Sequence, residues 1–248
     1  MKILRTPSSL FVVSLLLITM SMTSCQMGEG KFIRGEGDVV EQREYLEYFN
    51  TLEIQGMFDV VLHHSDTLYA TVETDSNLQD LVQVYVADNV LHISTRGETI
   101  LKPSRLKIRV SYNQLKSVVI EGACNLRATG PVMADTFKLM VSGAADVNLE
   151  LFASHLQTHI AGAGDFTLSG EADKHIVRLS GASRLRAQEL TTAKTRIDLA
   201  GAGSVEVYAS QQIDVNLSGV GSVTYHGNPA VRNLNITGLG NITEASRK

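Results

Sequence analysis

Glycine recurs at Gly122, Gly143, Gly162, Gly181, Gly201, Gly219 and Gly238, at intervals of 18 to 21 residues, inside one repeated residue pattern. Two residues before each stands a large aliphatic side chain: Ile120, Val141, Ile160, Leu179, Leu199, Leu217 and Ile236. Two residues after, the side chain is small: Cys124, Ala145, Gly164, Ser183, Gly203, Gly221 and Gly240. Four residues after, it is apolar again: Leu126, Val147, Phe166, Leu185, Val205, Val223 and Ile242. Few chains carry so strong a constraint. A period near twenty in an apolar, β-rich setting means one coil per repeat, each coil burying its apolar face only against its neighbours.

Within a unit the apolar positions alternate, and alternation of period two is the signature of a strand with one face turned inward. The glycine and the small residue fall in phase with the inward set. An inward position with no room for a side chain marks a sharp bend or a close approach of backbone, which glycine permits. Each unit therefore reads as strand, tight corner at Gly-x-small, strand, and a return segment of about eight residues. The expected fold is an all-β, right-handed parallel β-helix with coils of about 19–20 residues over 119–248, the hand following from the general rule for parallel crossovers. Stacked at about 4.8 Å, the seven units would form a rod roughly 30–35 Å long.

Ahead of the repeat, residues 1–24 have the form of a secretion signal, with Lys2 and Arg5 at the start and an apolar stretch over Leu10–Ile18. Met22-Thr23-Ser24-Cys25 is similar to a bacterial lipobox, which would make Cys25 the lipid-bearing first residue of the mature chain. Residues 25–44 mix glycine with charge and lack periodicity, so they read as a flexible tether. Residues 45–118 read as an N-terminal β section that closes one end of the stack. Its first strand, with Leu52, Ile54, Gly56, Phe58, Val60 and Leu62, follows the repeat template with Phe58 in the small slot. Asp75 caps a short helical turn through Leu81, and Asp88-Asn89 joins two strands as a hairpin. At the other end, Glu244 replaces the apolar residue of earlier units, as expected where a stack stops.

Several segments together resemble a known family. Gly35-Glu36-Gly37, the run from Leu52 to Val60, and Gly219-Val220-Gly221-Ser222-Val223-Thr224-Tyr225-His226-Gly227-Asn228-Pro229 are similar to the autotransporter adhesin head domain of GIN type. The resemblance spans nearly the whole mature chain. It implies a single-chain right-handed β-helix in a lipoprotein of Bacteroidetes-like bacteria, and it carries no catalytic residues. Ala144-Ala145 and Ala182-Ser183 depart from the pattern by lacking the second glycine.

Composition narrows the function further. Loss of Lys2 and Arg5 with the signal takes the net charge from −4 to −6, and no Lys/Arg cluster appears, so nucleic acid is not an expected partner. With Cys25 assigned to lipid, Cys124 stands alone in an inward slot as a small core residue, and no disulfide framework is expected. No catalytic, phosphate-loop, cofactor or metal motif occurs. An arginine at position 184 in the column of Asp146 and Asp165 argues against a calcium ladder. His63, His64 and His92 are the histidines that pairing could gather, yet neighbours on a strand face opposite ways.

Asp146 and Asp165, one coil apart, would stand about 5 Å from each other, and such a pair is the basis for an alternative reading as a carbohydrate-active β-helix enzyme. A second alternative is a signalling or stress-linked envelope module acting through 45–118. The leading expectation is a non-catalytic, lipid-anchored envelope protein whose rigid solenoid meets a protein or polysaccharide partner. Gln26 after the cysteine lacks the aspartate of inner-membrane retention, so outer-membrane display is expected by resemblance to lipoprotein sorting rules.

Overall fold

The computed structural model describes residues 31–97 and 99–245; Cys25, the signal segment and the first residues of the expected tether lie outside them. The N-terminal part runs β1 (Lys31–Arg34), β2 (Val39–Tyr45), β3 (Thr51–His64), β4 (Tyr69–Asp75), a 3-10 turn (Ser76–Leu81), β5 (Val82–Ala87), β6 (Val90–Thr95), β7 (Thr99–Lys102) and β8 (Leu106–Tyr112). The repeat region follows as β9 (Ser117–Ala128), β10 (Val132–Ile160), β11 (Ala163–Leu179), β12 (Ala182–Leu199), β13 (Ser204–Tyr208), β14 (Gln212–Leu217), β15 (Ser222–His226), β16 (Val231–Ile236) and β17 (Asn241–Glu244).

From β9 to β17 every strand pairing is parallel, and the chain winds as a β-solenoid of about six turns between residues 117 and 244. Like sits on like. Val60, Leu126, Val147, Phe166, Leu185, Val205, Val223 and Ile242 form one unbroken register column. The column that passes through Leu179, Leu199, Leu217 and Ile236 lines the opposite side of the corner. Both are buried until the last coil. Because each coil pairs with its neighbours position for position, a repeated sequence satisfies packing and backbone hydrogen bonds together.

The return segments differ from expectation. In the central coils they are strand as well: the 29 residues of β10 pair with β9 over one part and with β11 over another. The reason lies in the sequence, where inward alternation continues past Val147 through Leu149 and Leu151 on β10, and past Phe166 through Leu168 and Ala172 on β11. One extra residue in β12 is absorbed by a register shift after Thr167, opposite Arg186, before Ser169 meets Glu189.

The N-terminal section is not simply appended. β3 lies within the stack, pairing in parallel with β9 on one side and with β6 and β8 on the other. Chain direction then reverses: β4 runs antiparallel to β8, β2 to β4, and β5 to β6. Asp88 and Asn89 form the β5–β6 hairpin with φ of 50° and 61°. The tether expected over 25–44 is corrected for its described part: residues 31–34 and 39–45 are strands, β1 pairing with β7 as a separate two-stranded ribbon. The side chains of β2 are all exposed, so its strand character left no alternation to read. Asp75, expected as a helix cap, makes no cap hydrogen bond. Its buried carboxylate instead accepts the N–H groups of Gly37 and Ser104, both at 2.7 Å, tying the segments that follow β1 and β7 to the end of β4.

Candidate binding groove

The seven glycines, with Gly56 before them, stand one above another along a single edge. Gly56, Gly122 and Gly143 are register partners. A Cβ added at Gly122 would lie 2.5 Å from the Gly56 carbonyl oxygen, and at Gly162, Gly181, Gly201, Gly219 and Gly238 it would likewise collide with the glycine one coil earlier. The next residue in each later coil donates its N–H to that same carbonyl, as from Ala182 to Gly162 at 3.1 Å and from Ala202 to Gly181 at 2.9 Å. Close approach is therefore the general requirement. A positive φ adds to it at Gly122, where φ is 130°.

The residue between the glycine and the small slot points outward, and its column is Met57, Ala123, Ala144, Ala163, Ala182, Ala202, Val220 and Leu239. All eight are apolar at a solvent-facing position. Polar residues flank them: Asp59, Asn125, Asp146, Asp165, Arg184, Ser204, Ser222 and Asn241 follow on one side. The result is an apolar floor with a polar rim. Over the first four coils a wall rises beside it, formed by β7 and Pro103, and encloses a cavity of about 710 Å³. Met57 and Ile100 remain 57% and 40% exposed there. A shallower trough of about 540 Å³ continues from Gly164 past Ala182 and Ala202 to Val220. Both volumes fall in the range of small-molecule sites; the walled cavity has the mostly apolar lining usual for them, whereas the trough is lined mainly by polar groups.

The rim carboxylates are all engaged within the ladder. Asp146 and Asp165 are neighbours as expected, but Asp146 Oδ1 accepts the Asp165 N–H at 3.1 Å. Asp165 is held by Arg186 at 3.1 Å and Arg184 at 3.4 Å, and Asp59 by Arg127 at 3.1 Å. Each carboxylate thus has a partner in the ladder. Cys124 underlies the groove, buried, its thiol pushed up to about 12 by burial and by the charge of Asp59, so it stays protonated and unreactive.

The histidines are not gathered. His63 Nε2 lies 2.9 Å from the Tyr69 hydroxyl and His64 meets the edge of Tyr112, whereas His92 stacks on Tyr85 beside Glu53 at the other end of β3. Burial and the nearby Arg43 hold the His63 imidazole below its usual range. Among the described residues no group of three His, Cys, Asp or Glu could hold a metal, and no helix is long and apolar enough to cross a membrane.

The groove itself escaped the sequence reading, although half of it was visible. The residue after each glycine was apolar in every unit while its strand phase put it outside. The wall had no comparable signal, because β7 is four residues long and patternless.

The fold is thus a solenoid with a glycine ladder and an N-terminal β closure, and sequence comparison gives the family. Residues 48–229 match the sequence model described as "Putative auto-transporter adhesin, head GIN domain", and the chain belongs to that family. The matched span takes in β3 to β15 and excludes β1, β2 and the last coil. The fold is similar to crystal structures of a putative adhesin from Bacteroides fragilis (TM-score 0.80, 21% identity, covering 86% of this chain and 100% of that one). It is also similar to a putative lipid binding protein from Parabacteroides distasonis (0.70, 21%, 87% and 100%) and a putative adhesin from Parabacteroides merdae (0.65, 20%, 88% and 100%). No curated protein matches significantly in sequence.

Proposed function

We propose that this chain is a non-catalytic binding module of the cell envelope, of the adhesin type its family description names, anchored by lipid at Cys25 and displayed from the outer membrane. The observation that supports it most is the groove: a rigid, backbone-defined apolar floor whose rim carboxylates are all occupied by structural partners. Rigid sites bind without the entropic cost of ordering themselves. Floor residues Ala123, Ala144 and Ala163 are the smallest side chains that still cover the backbone, so a ligand would lie close along the coils.

An apolar lining also favours a ligand with an apolar part, and the Parabacteroides distasonis relative named for lipid binding supports an acyl-bearing ligand over a bare polysaccharide. The experiment is a binding screen against envelope extracts and lipid-bearing glycans, comparing the wild-type chain with Ala144→Trp. Ala144 faces outward, so the indole would fill the groove and leave the core alone. The expected result is a loss of ligand retention with an unchanged melting temperature. Saccharide turnover by the wild-type chain, abolished in an Asp146→Asn/Asp165→Asn variant, would overturn the reading in favour of an enzyme.

A further inference from the structure

The β1–β7 ribbon has two chemically different faces. Register pairs Ile33 with Leu101 on one and both Phe32 with Ile100 and Arg34 with Lys102 on the other. Leu101 is buried against the body, whereas Phe32 and Ile100 are 60% and 40% exposed. Lys102 Nζ sits 4.5 Å from the centre of the Phe32 ring, so cation and aromatic form one surface. Two adjacent apolar side chains bordered by two cations thus form a mixed apolar and basic face on an otherwise acidic protein.

We propose that this face lies against the membrane that carries the chain. Phe32 and Ile100 enter the boundary between headgroups and acyl chains, and Arg34 and Lys102 meet anionic lipid phosphates. The inference rests on the proposed lipid at Cys25. Six residue steps separate Cys25 from Lys31, which limits the ribbon to about 20 Å from an anchored sulfur. The basic pair supplies the second attachment that orients the module, since Asp75 ties the chain flanking the ribbon to β4. In that orientation the walled part of the groove, to which Ile100 also contributes, opens next to the bilayer.

The chain contains no tryptophan, so one substitution creates a clean reporter. Phe32→Trp is placed on the ribbon and Leu239→Trp in the last coil, each in the full acylated chain reconstituted into vesicles of phosphatidylcholine mixed with phosphatidylglycerol. Brominated acyl chains should quench the Phe32→Trp indole and blue-shift its emission, while leaving the Leu239→Trp indole unquenched. Adding Arg34→Glu and Lys102→Glu should abolish the quenching. Equal quenching at both positions, or quenching indifferent to the charge reversal, overturns the proposal. Mass spectrometry of the N-terminal peptide reports acylation of Cys25 separately. If Cys25 is unmodified the anchoring reading fails, and the soluble Phe32→Trp chain mixed with the same vesicles then decides the ribbon: a blue shift supports docking, and an unchanged spectrum refutes it.

Discussion

At the N-terminal end of the stack, the parallel coil made by β6 and β8 is covered by antiparallel β5 and β4, and β2 lies outside β4. At the C-terminal end, β16 and β17 have no strand outside them among the described residues. The same inward columns show the consequence. Leu91 and Ile93 near the first end are wholly buried, whereas Leu234 and Ile236 at the second are 44% and 45% exposed. A parallel coil offers its neighbour a template but cannot finish itself. Reversing the chain gives edge strands that need no further copy, and the fully exposed β2 carries Glu41, Arg43 and Glu44 to discourage one. The C-terminal end instead closes with charge. Arg232 takes the register position above Ile213, Glu244 the one above Tyr225, and the two join at 3.2 Å across the open coil.

The glycine ladder gives the largest expected contrast between interior and end. Gly181→Val places a branched side chain against the backbone of Gly162, and coils on both sides prevent retreat. A loss of about 4 kcal/mol is expected from urea unfolding, the range of severe core disruption. Gly238→Val makes the same collision with Gly219, but its coil is free to shift outward, and about 1 kcal/mol is expected. Equal losses would mean that the last coil is as firmly held as the centre.

Acid should separate the regions next. His175 is fully buried in β11 with Nε2 3.0 Å from the Thr158 hydroxyl, and burial lowers its pKa from the ordinary 6.5 to about 3. The folded chain holds the imidazole neutral, while the unfolded chain protonates it below pH 6.5. Its neutral state therefore costs nothing above pH 6.5, and stability drains away as pH falls from there toward 3. Between pH 7 and pH 4 the loss is about 3 kcal/mol, and it should vanish in His175→Gln when the two chains are compared by urea unfolding at both pH values. A parallel decline in both chains would assign the acid sensitivity elsewhere.

Asp75 tests the N-terminal closure in the same solvent. Burial raises its pKa, but the N–H groups of Ser104 and Gly37 outweigh burial and leave it below the usual carboxylate range. Its contribution is thus complete above the unfolded value and lost as pH falls through the lower folded one. Asp75→Ala should expose the segments that follow β1 and β7 to limited proteolysis, with the melting temperature of the solenoid little changed. Unaltered cleavage kinetics would show that Leu101 packing and the Asn77 hydrogen bonds to Arg34 and Glu36 hold the ribbon without Asp75.

How much of this could be read beforehand follows the same division. Seven repetitions made the inward columns, the glycine edge and the small slot unmistakable, since each position was written again in every coil. Phe58 and Gly56 even placed β3 on the template. Its position between β9 and the β6–β8 coil was hidden, because nothing local in Thr51–His64 states which strands lie on its two sides. β1 and β2 were hidden for another reason: strands paired at an edge with exposed side chains need no apolar alternation, and a run of glycine and charge conceals them. The groove was split between the two cases, its alanine floor written in the repeat and its β7 wall written nowhere.

The smallest effect is expected at the charge pair that ends the stack. Arg232 and Glu244 have side chains 39% and 43% exposed, so their attraction is screened by water, and Arg232→Ala should cost less than about 1 kcal/mol of global stability. Glu244 also accepts the Tyr225 hydroxyl at 3.2 Å, and Arg232 also reaches Asn228 at 3.0 Å, so the pair closes the last coil more than it strengthens the whole. Amide exchange should register this locally. In Arg232→Ala, residues of β16 and β17 should exchange faster, while β9 to β12 keep their protection, because a solenoid loses its terminal coil before its centre. Faster exchange throughout would mean that the pair holds the stack as a cooperative unit, and the two ends would then differ in appearance only.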